Sequence, residues 1–373
     1  IETVTVGDLK TAYTENNFKI LLVPGHDNID YGTKFNGVRE ADLTLALAKE
    51  LDAVFKNDEH FKVFTVRDFA TGDYTPIFKE YFTKESKEIS SFRVRLKDAL
   101  NKALQTGEFK IREGIDHNFV PNRVVQRLYG INKWANENEI DAILHIHFND
   151  HAGRKAGRAG GYEGFTIYIP DEQFSSSQAS MALAQSIFNR LKKNFSVSTI
   201  KGERAGIIAD QDLIAVGAKG SLDGAGLLIE YGFIYEPQFV NAALRQTMLR
   251  ELAYQTFTGL KQHFEPSLKF ADTILLPHLW KDSLKRDNKG SRDVLALQVA
   301  LRQEGLYPPA GKSLADCSLT GHFGPCTETA VSLFQEKYAA EILAPFGLMR
   351  GTGLAGPTTI TKLNELYSLG QQD

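Results

Sequence analysis

Only two cysteines occur in the 373-residue chain, Cys317 and Cys326, and two thiols alone cannot build a zinc site of the four-cysteine kind. They lie close together near the C-terminus with a Gly- and Pro-containing turn between them, and two readings stay open: one local disulfide in an exported protein, or two free thiols. No stretch approaches the roughly 20 apolar residues that cross a bilayer, so no membrane span is expected. A basic surplus is missing too: 43 Lys and Arg face 46 Asp and Glu, for a formal net charge of −3. Binding to phosphate backbones needs clustered excess cations, which excludes nucleic acid as the main partner. The chain opens at Ile1 with neither a Met nor a basic-then-apolar leader, so any signal segment would lie ahead of it. What is plentiful is apolar material. With 42% hydrophobic and 24% charged residues, the chain can build one large core and a second smaller one, and two domains are expected.

From Phe18 the pattern reads strand, loop, helix. The run Ile20, Leu21, Leu22, Val23 ends at Pro24-Gly25-His26, and Leu43, Leu47, Leu51, Val54 and Phe55 then recur at helical spacing from a start near Arg39. A strand over 62–66 closes a strand-helix-strand unit, the signature of a parallel sheet flanked by helices. Further strands are expected over 142–147, 165–169 and 226–230, with helices over 123–138, 180–195 and 241–263. The charged, aromatic stretch 71–118 reads as a helical insertion. Composition shifts at Glu265-Pro266-Ser267, and beyond a second charged stretch three short helices are expected over 293–304, 327–338 and 358–369. The expected fold is thus α/β, a mostly parallel sheet flanked by helices, followed by a small all-α domain of three helices. Its parts are a lead-in (1–17), a main domain (18–265), a linker (266–283) and a C-terminal domain (284–373). The loops 319–325 and 351–357 resemble each other, each followed by Thr residues that open a helix, which suggests a small internal repeat.

Four polar residues fall where strands end, the place where ligand crevices form in open α/β sheets. His26 follows the first strand, Glu40 opens the first helix, His147 closes the middle strand and Glu230 interrupts a late apolar strand. Two His and one carboxylate make a catalytic zinc set that leaves a fourth position open, and a second carboxylate can then take a proton from water. Each has a plainer reading. A strand-end His is more often a hydrogen-bonded structural group, and Glu40 at a helix start is welcomed by the macrodipole. His145 and His147 share one strand face, and His151 is a further candidate ligand. Glu230 is the least easily dismissed, because an acid inside Leu227-Leu228-Ile229 and Tyr231-Gly232-Phe233 needs a partner or a function.

With their neighbours these positions resemble the zinc-dependent N-acetylmuramoyl-L-alanine amidases. Val23-Pro24-Gly25-His26 looks like that family's strand-end Pro-Gly-His, Arg39-Glu40-Ala41-Asp42-Leu43 like its Glu-x-Asp-Leu, and Val66-Arg67-Asp68 like its Thr-Arg-Asp. His145-Ile146-His147-Phe148-Asn149 is similar to its Ser-Ile-His-Ala-Asn, and Ile229-Glu230-Tyr231-Gly232-Phe233 to its Val-Glu-Leu-Gly-Phe. The resemblance implies one zinc ion per chain held by His26, Glu40 and His147, with Glu230 as general base. It implies hydrolysis of the amide between N-acetylmuramic acid and L-alanine, with Asn149 as a helper and Arg204 near the peptide stem, although a solvated surface Arg is the plainer reading of Arg204. Trp134 is read as core packing, not a sugar platform. Asp27-Asn28 replaces two glycines and His145 replaces a Ser, so the loop after His26 and the surroundings of the site are expected to differ. Related enzymes carry helices over the cleft, so an occluding lid is one implication of 71–118. Beyond 284 the chain resembles a three-helix peptidoglycan-binding domain, through Asp293 to Gln298, Gly321-His322-Phe323-Gly324-Pro325, Phe334-Gln335 and Gly356-Pro357-Thr358. The expected partner is peptidoglycan, with an activator protein as an open alternative, for a monomer exported to the periplasm, cell wall or exterior. The competing readings are an inactive or autoinhibited wall-binding scaffold and another zinc peptidase or deacetylase.

Overall fold

The computed structural model describes residues 3–115, 117, 120–288 and 290–369. Helix α1 (Val6–Thr14) precedes β1 (Phe18–Pro24), and a small hairpin of β2 (Lys34–Phe35) and β3 (Val38–Arg39) leads into α2 (Glu40–Lys56) and β4 (Phe61–Thr65). The insertion carries α3 (Pro76–Lys84) and α4 (Ser86–Thr106), followed by α5 (Asn122–Glu137) and β5 (Ala142–Asn149). Then come β6 (Thr166–Pro170), α6 (Ser177–Leu191), β7 (Ile207–Asp210), β8 (Ala225–Phe233), α7 (Pro237–Val240) and α8 (Ala242–Phe264). The C-terminal unit holds α9 (Arg292–Gln303), α10 (Pro325–Lys337), α11 (Ala339–Ile342) and α12 (Pro357–Tyr367).

The six-stranded sheet runs β4-β1-β5-β8-β6-β7. Every neighbouring pair is parallel except β6 against β8, which makes the sheet mostly parallel as expected. Strand β1 pairs with β4 on one side and β5 on the other, so the first strand-helix-strand unit closes next to the strand that carries His147. Alternation along the strands sends Leu22, Leu144 and Ile146 to one face, under α2, α6 and α8. Leu21, Val23 and Ile143 go to the other, against Ile131 and Trp134 of α5. Trp134 meets Phe64 and Phe78 at ring separations of 5.8 and 4.8 Å, which makes it the core residue the sequence suggests.

The C-terminal unit does not hang on a free tether. Glu251 of α8 is fully buried and accepts from Asn194 Nδ2 (3.1 Å), Thr273 Oγ1 (3.0 Å) and the Ile274 amide (2.9 Å), which ties the segment 266–283 onto α6 and α8. Trp280, 2% exposed, donates its indole N–H to Asp293 O at 2.8 Å. As a result one hydrophobic cluster runs without a break from Leu9 to Leu363, where the sequence suggests a separate second core. Cys317 and Cys326 are joined in a disulfide, which resolves the two readings left open for them.

The internal repeat is real at the level of hydrogen bonds. Gln298 Oε1 accepts the amides of Thr320 and Gly321 (3.1 and 3.0 Å) and its Nε2 donates to Thr327 Oγ1 (3.0 Å). Gln335 repeats this with Thr352 and Gly353 (2.7 and 3.1 Å) and Thr359 Oγ1 (3.0 Å). In each case a buried helix amide satisfies the turn that opens a later helix, so the resemblance of the two loops reflects one local solution used twice. No helix among the described residues is long and apolar enough to cross a membrane.

Candidate active site

The C-terminal ends of β1, β5 and β8 lie side by side, and the site forms there. His26 comes directly after β1, while His147 and Glu230 sit opposite each other in the β5/β8 register. Helix α2 begins at Glu40, whose backbone N–H bonds Thr33 O at 2.9 Å, so the strand-to-helix loop folds back and delivers the carboxylate between the two imidazoles. Glu40 Oε2 lies 3.0 Å from His26 Nε2, and Glu40 Oε1 lies 3.1 Å from His147 Nδ1. The His26 and His147 rings meet edge to face at 5.2 Å. One ligand atom from each of the three residues falls within 4.8 Å of the others.

Close approach explains the glycines of this region. A Cβ on Gly25 would stand 2.4 Å from His147 Cε1, and one on Gly32, at φ +70°, would stand 2.4 Å from Glu40 Oε2. Neither position accepts a side chain without moving a candidate ligand. The turn is held from behind by Arg67, 1% exposed, which donates to Ala41 O (3.0 Å), Gly25 O (3.4 Å) and Gly72 O (2.9 Å). Thr44 Oγ1 donates to Gly25 O at 2.8 Å. In the loop after His26, where the sequence lacks two glycines, the strained residue is His26 itself, at φ 65°. Asp27 Oδ1 accepts the amides of Ile29 (2.8 Å) and Asp30 (2.7 Å), so a side-chain turn replaces glycine flexibility.

Does this set fit zinc? Two imidazole nitrogens and a carboxylate oxygen form the three-residue donor set of catalytic zinc sites. The remaining capacity of Glu40 is used by the amides of Thr33 (3.1 Å) and Phe148 (3.3 Å), which fix the carboxylate's orientation as metal sites require. Burial, opposed by Glu40, holds His147 below the ordinary imidazole value and so in the neutral form that ligates. Burial works against the charged form of His26, and the hydrogen bond and charge of Glu40 outweigh it, leaving His26 above its ordinary value. Burial also works against the Glu40 carboxylate, but the two imidazoles hold it well below the usual range. Glu230 Oε2 is shielded from solvent without a hydrogen-bond partner, and burial followed by the charges of Glu40 and Glu203 pushes Glu230 well above the ordinary carboxylate range. Two imidazoles and one oriented carboxylate converge on a single point, as a divalent cation requires, so the residues fit.

A cleft of about 730 Å³ is lined by His26, Glu40, His147, Asn149, His151 and Glu230 among others. Among the described residues none from 71–118 lines it; that insertion packs α3 and α4 on α5. A second, largely apolar chamber of about 310 Å³ shares His26 and His147 with the cleft, and here the insertion contributes Tyr74 and His117. His145 lines this chamber, 1% exposed, and burial followed by the charge of His147 pushes it down to about 3, so it adds no charge beside the site at neutral pH. His151 stays outside the three-residue cluster, edge-on to Tyr162 at 4.6 Å.

Asn149 ends β5 just past an irregularity in the ladder and donates to both oxygens of Glu203, at 3.3 and 3.4 Å. Glu203 is the acid that sequence reasoning misses. It is 4% exposed and also accepts from Tyr168 OH (2.8 Å) and Ser198 Oγ (2.5 Å). In the sequence it is an ordinary acid between Gly202 and Arg204, and only the tertiary structure buries it beside Glu230. Arg204 points elsewhere: it is exposed, lies outside the 730 Å³ cleft and lines a separate groove.

A family model described as N-acetylmuramoyl-L-alanine amidase matches residues 20–262, well over half of the chain. The chain belongs to the N-acetylmuramoyl-L-alanine amidase family. It is therefore an amidase whose matched region takes in all six strands of the sheet, apart from the first two residues of β1, and all four candidate site residues. No curated protein matches it significantly. Among solved structures, the CwlD amidase of Clostridioides difficile, in complex with the GerS lipoprotein, is 16% identical with a TM-score of 0.43, covering 67% of this chain and 100% of that one. The N-acetylmuramyl-L-alanine amidase Ami1 of Mycobacterium smegmatis is 12% identical with a TM-score of 0.42, covering 67% and 98%. The amidase AmiC2 of Nostoc punctiforme is 15% identical with a TM-score of 0.39, covering 66% and 97%. At these scores the likeness is loose, and the assignment rests on the family model.

Proposed function

We propose that this amidase hydrolyses the amide between N-acetylmuramic acid and L-alanine in peptidoglycan, with one zinc ion held by His26, Glu40 and His147. The observation that carries the reading is the convergence of those three side chains within 4.8 Å, with Glu230 opposite His147 in the sheet, in a member of this family. When bound, zinc supplies Lewis acidity towards water and a carbonyl oxygen. The protein does the rest. Glu40 fixes the orientation of both imidazoles. Glu230, whose Oε2 is shielded and free of hydrogen-bond partners, accepts in its ionised form a proton from the attacking water and passes it to the departing amine of L-alanine. Asn149, held by Glu203, offers its amide at the edge of the cleft. Arg204 binds the substrate further out. Residues 18–265 form the catalytic unit, and 284–373, docked through the segment 266–283, form a peptidoglycan-binding unit. Export to the periplasm, exterior or cell wall follows from the substrate, and a disulfide is at home there.

The test is to incubate purified peptidoglycan with the full chain, identify released peptides by mass spectrometry and measure zinc per chain. Stem peptides with a free L-alanine amine, and zinc near one per chain, are the expected result. Cleavage at another bond would sink the substrate assignment, and a chain that cleaves fully after exhaustive chelation would sink the metal assignment.

A further inference from the structure

Between the catalytic and C-terminal units lies a groove of about 580 Å³ that neither unit forms alone. One wall comes from the end of α6 and the loop after it, through Lys192 and 195–199 with Arg204; the other comes from Arg302 at the end of α9 and the loop carrying Lys312. Four cations line it and no acid does. None of the four makes an ion pair among the described residues, whereas Arg112, Lys133, Lys261 and Lys337 each hold a carboxylate. Asp316, on the same loop as Lys312, is turned to the amide and hydroxyl of Ser313, both at 2.8 Å. Arg302 is anchored by donating its Nε–H to Lys193 O, so its position across the junction is fixed. Unpaired cations converging on one concavity raise the local concentration of an anionic ligand.

The groove is connected to the catalytic cleft. Ser198 on its floor donates to Glu203, and Glu203 receives Asn149 at the cleft edge. Its surface is not purely ionic, because Leu314 and Ala315 lie among the cations and Ser196, Thr199 and Ser313 offer hydroxyls. That mixture suits a peptide that bears carboxylates and small apolar side chains better than a bare phosphate polymer, which has no use for apolar contact. We propose that this interdomain groove binds the carboxylate-bearing peptide stems of peptidoglycan, seating a neighbouring stem while another occupies the catalytic cleft. The proposal rests on the wall-amidase reading for its ligand.

The experiment uses the full chain with Lys192→Glu and Lys312→Glu combined, both exposed and outside the catalytic cleft. Binding to insoluble peptidoglycan stripped of phosphate polymers is measured by sedimentation at low and high salt. The expected result is at least a tenfold weakening at low salt that fades as salt screens the charges, with native binding for the Lys192→Arg, Lys312→Arg pair. Amidating the stem carboxylates should weaken the native protein by a similar factor and leave the charge-reversed variant unmoved. Native-like binding by a charge-reversed variant whose melting temperature matches the native protein overturns the proposal. So does a loss seen only on phosphate-bearing walls. If charge-dependent binding holds while the native chain releases no peptide, the amidase reading falls and the groove stands.

Discussion

Replacing Glu230 by glutamine keeps shape and volume and removes the group that takes the proton. Glu230 Oε2 is out of solvent and unpartnered, and its carboxylate faces the charges of Glu40 and Glu203. Two opposite effects follow. A positioned general base contributes roughly 10²- to 10⁴-fold to rate, or about 3–6 kcal/mol of barrier at about 1.4 kcal/mol per tenfold. Turnover by Glu230→Gln should fall by that factor, with zinc content unchanged because Glu230 lies outside the His26, Glu40, His147 set. The metal-free fold should instead gain stability. A carboxyl raised above its ordinary 4.5 contributes fully only below that pH, and its contribution is lost as pH rises towards the folded value. Glutamine removes that loss, so the gain should appear near pH 7.5 and vanish near pH 4. The assay is kcat on a soluble muramyl peptide, zinc by elemental analysis, and melting curves in chelator at both pH values. A variant that keeps its zinc and turns over within threefold of native refutes the base role; a variant that loses zinc moves Glu230 into the ligand set.

Gly25→Ala places a Cβ against a His147 ring that is already held by Glu40, and overpacking of that kind costs about 1–3 kcal/mol. Zinc affinity should drop about tenfold or more, measured by competition with a chelating dye, and unchanged affinity would remove Gly25 from the account. At the junction of the two units, burial, with help from Glu236 and Asp316, pushes Glu163 up to about 7 against the hydrogen bond from Ser318 (2.5 Å). Its stabilising share is complete below 4.5 and lost as pH rises through 7. Glu163→Gln should therefore flatten the fall in melting temperature between pH 5 and 8 and stabilise by about 1 kcal/mol at pH 8, after discounting for partial exposure. Identical pH dependence in the two proteins would refute it.

The order of the main strands and helices, and the four residues that converge at the candidate site, are legible in the sequence alone. Period-2 and period-3.6 patterns are local, so the main strands and helices fell within a few residues of their expected bounds. His26, Glu40, His147 and Glu230 were legible because strand ends and a helix start are the places where an open sheet exposes side chains. The C-terminal repeat was legible because the same turn chemistry recurs in the same order. Short elements were not: α1, the β2/β3 hairpin and β7 carry too few residues to show a period, and β7 is held at the sheet edge by pairing with β6 alone. Tertiary structure alone decided that β6 runs against β8, since that direction depends on where the chain returns and not on local pattern. It alone buried Glu203 beside Glu230, fused the two cores through Glu251 and Trp280, and carried Arg204 out of the cleft to a groove shared with Arg302 and Lys312. Those outcomes depend on distant segments meeting, and no property of a residue's own neighbourhood in the chain records which segment it will meet.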